Sequence, residues 1–175
     1  MRLYVLLPSI MAGILTINVA KSEDNVHFSG ALVAEPCTLP EADTDIHVDF
    51  GTVIVKYLYQ YQRTKSQPFT IHLQDCDPSV MKTVSVTLEG TEDDELTDLL
   101  ALDSSSSAKG VAIGFEQENG EKLKINTPTP YKQLSKGNNA FILGAYLSTK
   151  PTFTASKKIE LGGFSSISTF KLNYE

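Results

Sequence analysis

The side chains with most chemistry to offer in this 175-residue chain are two cysteines, three histidines and one run of carboxylates. Cys37 and Cys76 alone cannot furnish a four-ligand zinc site, so they form a disulfide or stand as two separate thiols. A reactive cysteine needs a histidine partner and an electropositive setting. His27, His47 and His72 each stand singly, in strand-like alternation among polar neighbours. Glu92-Asp93-Asp94-Glu95 lacks the alternating ligand spacing of a calcium loop and reads as solvated surface charge. There is no nucleophile elbow, phosphate loop or histidine metal pair. The expectation is a protein that is not an enzyme and carries no cofactor. Fifteen Lys and Arg against 21 Asp and Glu, with no basic cluster, argue against nucleic acid as a partner.

Tyr57, Tyr59 and Tyr61 alternate in VKYLYQYQR. Such a row offers a sugar-stacking face, and more often forms a cross-strand ladder or a subunit contact.

The compartment decides between the two cysteine chemistries. Arg2 precedes an almost uncharged apolar stretch from Leu3 to Val19, which Lys21, Glu23 and Asp24 end abruptly. This reads as a secretory signal peptide over residues 1–22, cleaved after Ala20 or Ser22. Pro8 and the missing positive stop-transfer cluster argue against a membrane anchor. Export favours a Cys37–Cys76 disulfide. It would close a loop of about 40 residues, worth roughly 4 kcal/mol in the chain-entropy model.

The elements that position these residues read as strands. Apolar residues recur with period two at Val26, Phe28 and Leu32, at Ile46, Val48 and Phe50, and at Phe69, Ile71 and Leu73. The same spacing returns at Val84, Val86 and Leu88, at Val111, Ile113 and Phe115, and at Phe170, Leu172 and Tyr174. Turn signals such as Asp77-Pro78 and Asn119-Gly120 separate them, so an all-β sandwich is expected. Only residues 92–102 carry a helical pattern, of a turn or two at most. Phe164 to Tyr174 reads as one strand ending next to Glu175. An apolar strand there must be paired or covered. The apolar N-terminal segment and this last strand either pair within one chain or meet between chains by β-strand addition.

These residues resemble the subunits of chaperone–usher pili. Phe28-x-Gly30, Leu32, Val33 and Pro36-Cys37 are similar to the family's N-terminal motif, and Val48-Asp49-Phe50-Gly51 to its next element. Cys76, VSVTLEG at 84–90, GVAIG at 110–114, Leu143-Gly144-Ala145-Tyr146 and Phe170-x-x-x-Tyr174 follow in the family's order. The resemblance covers the whole chain after the signal, and is nearest to minor tip-adaptor subunits of P-type pili.

The resemblance implies an incomplete immunoglobulin-like sandwich over 34–175, lacking its final strand and completed by donor-strand exchange. It implies a donor extension over 23–33, in which Val26, Phe28 and Leu32 fill pockets of a neighbour and Gly30 occupies the family's glycine position. Phe170, Leu172 and Tyr174 then face the acceptor groove, and Glu175 is read by the chaperone. The disulfide is the family's usual one. The implied partners are a periplasmic pilus chaperone, an outer-membrane usher and neighbouring subunits, and the implied destination is a fimbrium on the bacterial surface, where it supports cell adhesion. The expected role is a structural subunit, a minor adaptor of the tip. A receptor-binding adhesin and an assembly terminator are the alternatives. The length leaves no room for the separate receptor-binding domain of a two-domain adhesin.

Overall fold

The computed structural model describes Val26, Phe28, Ser29, Gly30, Leu32 and residues 34–175. The signal peptide expected over 1–22, its cleavage site and His27 lie outside the described residues. The chain divides into two units, 1–33 and 34–175. In the first, Val26, Phe28 to Gly30 and Leu32 have no regular secondary structure, so their apolar alternation makes no strand there.

The second unit is built from seven strands: β1 (Gln67–Cys76), β2 (Thr83–Glu89), β3 (Val111–Gln117), β4 (Lys122–Leu123), β5 (Lys132–Gln133), β6 (Gly137–Thr149) and β7 (Thr169–Tyr174). They form two antiparallel sheets, ordered β1-β6-β3-β4 and β5-β2-β7. The period-two pattern is the cause: it turns one set of side chains inward and lets two sheets face each other over a shared core. Ile71, Leu73, Val84, Val86 and Leu147 are almost wholly buried between them. Asn119-Gly120 turns β3 into β4, with Gly120 at a φ of 82° that a glycine adopts without strain.

Part of the outer face of the larger sheet is covered as well. Tyr146 lies flat there under Arg63, whose guanidinium is 3.6 Å from the ring centroid and 2.9 Å from Glu116 Oε2. Gly114 makes this possible, since a Cβ on it would sit 2.3 Å from the Tyr146 ring.

Three expectations need correction. The tyrosine row is a helix, α1 (Val55–Tyr61), rather than a ladder. One residue, Leu58, is buried on its inner side, while Tyr57 and Tyr61 stack one turn apart at 4.4 Å. Tyr59 Oη accepts a bond from Ile159 N at 3.1 Å. The acidic stretch 92–102 forms no helix. Asp93 Oδ1 accepts from the backbone N–H of Glu95 and Leu96, which bends the chain, and Leu100 bridges to Ile113. Nor are all these carboxylates solvated: Asp93 is buried against Lys150 at 2.7 Å, and Glu95 bonds the N–H and hydroxyl of Thr152 in α2 (Pro151–Ser156). Burial works against the Lys150 charge, but the bonds to Asp93 and Asp94 outweigh it and hold the amine above its ordinary pKa. The third correction concerns 164–174: only β7 is a strand, and 164–168 is irregular.

Cys37 and Cys76 form a buried disulfide. It ties the segment entering the domain to the end of β1, across 39 positions of sequence. Replacing both cysteines with alanine is expected to lower unfolding stability by about 2–5 kcal/mol. Urea titration of the two proteins, each in the same strand-complemented state, measures the difference.

Candidate functional site

A groove of about 640 Å³ opens along one side of the second unit. One wall is residues 44–50. Ile46, Val48 and Phe50 are half-buried and point inward, while His47 and Asp49 are exposed. This is the side-chain pattern of a strand, yet among the described residues no backbone group of 45–50 bonds to another backbone group. The opposite wall is residues 166–170, the lead-in to β7 and its first two residues. β7 pairs with β2 along one edge only, from Val84 opposite Tyr174 to Glu89 opposite Thr169. Among the described residues its other edge has no partner in the sheet order.

The floor is apolar. Leu88, Ile113, Phe115 and Ala145 come from both sheets and Leu100 from the loop bridged to Ile113, and Phe69 stands edge-on to Phe115 with centroids 6.3 Å apart. At one end Phe50, from the first wall, meets Phe164, before β7, at 5.9 Å. Two unpaired strand edges facing each other over an apolar floor leave a polar backbone ladder unfinished, and one added strand would complete it. Alternate side chains of that strand would meet the floor, and each apolar side chain so buried is worth about 1.5–3 kcal/mol.

Of the residues singled out in the sequence, Phe170 lines the groove. Leu172 and Tyr174 are half-buried further along β7, packed on the core. Burial, with the Glu35 carboxylate nearby, pushes the Tyr174 phenol up. Glu175 continues the β7 ladder: its carbonyl accepts from Lys82 N and Thr83 N at 2.7 and 2.8 Å. Its carboxylate, close to Tyr131, is the main cause that raises the Tyr131 phenol. Cys37 and Cys76 do not line the groove; they are a buried structural pair. Val26, Phe28 and Leu32 are exposed, at 65%, 94% and 106% of their reference areas, and a Cβ at Gly30 would meet nothing within 4 Å.

The structure adds Ile46, Val48, Phe50, Leu100 and Ile167 to the groove. The alternation of Ile46, Val48 and Phe50 was readable, whereas Leu100 fell in the stretch expected to be helical, and the residues' own pattern did not say which strand would lack a neighbour.

Comparison with known proteins agrees with this geometry. The family model described as fimbrial protein matches residues 26–175. The uncharacterized fimbrial-like protein YfcP of Escherichia coli (strain K12) is 33% identical over 173 residues, covering 98% of this chain and 94% of that protein. Among solved structures, the P pilus rod subunit PapA superposes with a TM-score of 0.70 at 21% identity, covering 81% of this chain and 100% of PapA. A subunit in a structure of a chaperone–usher pilus gives 0.69 at 21% identity, covering 91% of this chain and 100% of that one. At that identity the two structures speak to the fold.

An open apolar groove should make the free protein self-associate and bind an apolar dye. Dye fluorescence and light scattering are both expected to fall when a peptide of alternating apolar residues is added at saturation.

Proposed function

The chain belongs to the fimbrial protein family, and we propose that its groove and its segment 23–33 are the two halves of a joint between successive subunits. The protein is a structural subunit of chaperone–usher pili, not an enzyme, and subunits of this family are exported to build surface fimbriae. In the proposed joint, residues 23–33 of one copy or of a related subunit enter the groove of the next by donor-strand exchange. The observation that carries this reading is the pair of unpaired edges, 45–50 and the outer side of β7, over one apolar floor.

Val26, Phe28 and Leu32 supply the buried side of the donor. Gly30 lets the backbone pass close to the neighbour where the groove is shallow. Before assembly, a periplasmic chaperone fills the same groove, with Phe170, Leu172, Tyr174 and Glu175 nearest to it, and an outer-membrane usher hosts the exchange. Residues 1–22 act as the signal peptide and 34–175 as the pilin domain. Within the pilus the protein serves as a minor adaptor of the tip. Its charge supports this: 21% of residues are charged, against the Ala, Gly and Thr richness common in rod-building subunits.

A protein that starts at Ala34 is expected to bind its chaperone and to accept a donor strand, but not to dock onto a preceding subunit. Phe28→Ala and Gly30→Lys should slow docking while leaving the recipient domain folded. Gel-shift assays of subunit pairs, started from chaperone complexes, measure both. Docking at normal rates by these three proteins would remove 23–33 from the joint.

A further inference from the structure

The wall of the groove formed by 44–50 has no ladder of its own, so something outside it must set its position. The preceding segment shows what does. Residues 36–43 run along the outer edge of β1, whose other edge is taken by β6. Thr38 and Gln74 exchange backbone bonds at 2.7 and 2.8 Å, Asp77 N donates to Pro36 O at 2.7 Å, and the disulfide closes Cys37 onto Cys76. The last fixed point on this edge is Asp43. It ends a single 3-10 turn, Glu41–Asp43, and is 7% exposed. Its Oδ2 accepts from the backbone N–H of His72 and lies 2.8 Å from His72 Nδ1. The next residues, Thr44 to Ile46, already line the groove.

We infer that Asp43 is a positioning residue for strand acceptance. Its carboxylate stands where a β-partner's carbonyl would stand on β1, and so fixes the point at which the chain leaves one sheet and turns toward the other. Two bonds to one oxygen hold both the backbone and the ring of His72, which sets the direction of departure as well as its origin. A wall anchored in this way presents Ile46, Val48 and Phe50 at one depth to an incoming strand. Without the anchor, the incoming strand must order the wall while it binds, which costs rate and affinity. This inference rests on the groove accepting a strand.

The test starts from the full chain in complex with its chaperone. A synthetic peptide carrying residues 24–34, and others of the same apolar alternation, compete for the groove. Chaperone displacement is followed by fluorescence for wild type, Asp43→Asn, Asp43→Ala and the exposed neighbour Glu41→Ala. Asn retains an oxygen that accepts from His72 N–H, so Asp43→Asn should stay near the wild-type rate and affinity. Asp43→Ala should bind the peptides at least about tenfold more weakly, the scale of one lost charge-assisted hydrogen bond. Glu41→Ala should behave as wild type. If Asp43→Ala does not fold, Asp43→Ser, which keeps a shorter acceptor, should fall between wild type and that loss. Unchanged peptide affinity in a folded Asp43→Ala or Asp43→Ser protein overturns the positioning role and leaves the groove reading standing. A wild-type complex that yields to no peptide overturns the groove reading, and this inference with it.

Discussion

A strand edge without a partner leaves a row of backbone N–H and C=O groups that only water satisfies, and beside an apolar floor it is an open site for an added strand. This chain carries two such edges beside each other, at 45–50 and along the outer side of β7. The core beneath them is complete in every other respect. Leu88, Leu100, Ile113 and Phe115 form a continuous floor, and the rest of the sandwich is closed around Ile71, Val86 and Leu147. The domain is thus a sandwich with one strand's worth of hydrogen bonding and apolar cover left over. That surplus is the feature from which its interaction chemistry follows.

Much of the remaining structure serves to keep the gap in shape. The disulfide and the Thr38–Gln74 bridge hold the entering segment on β1, and Asp43 ends that hold just before the wall begins. On the far side, Ser166 Oγ donates to Ala101 O and Ser168 Oγ to Glu89 O, tying the irregular 164–168 stretch to the body of the domain before β7 begins. The acidic loop fixes Lys150 and the start of α2, which follow β6. None of these contacts fills the groove.

The strands of the core were legible because their inward residues alternate without interruption, as in Val84, Val86 and Leu88. The cysteine pair was legible because the export signal expected from the sequence narrows two thiols to one chemistry. The tyrosine row misled because period two and an i, i+4 pair coincide at Tyr57 and Tyr61. Burial of Leu58 between them, not the tyrosines, decides for helix, and that depends on a neighbour distant in sequence. The acidic stretch misled for a local reason. Asp93 spends its carboxylate on the backbone of Glu95 and Leu96, which is a turn, rather than leaving it as the first turn of a helix. The groove itself was half legible. Ile46, Val48 and Phe50 read as a strand, but only the resemblance to pilus subunits implied a missing neighbour; the residues' own pattern does not carry it, because absence of pairing is a property of topology.

The account is tested most directly by backbone amide exchange on the domain, alone and with a saturating apolar-alternating peptide. It predicts that 45–50 exchanges freely in the empty groove, whereas amides bonded between β2 and β7 are protected. On peptide binding, protection should appear along 45–50 and along the outer side of β7 together, since one strand bonds both edges. A tight peptide complex in which either edge stays unprotected would contradict it.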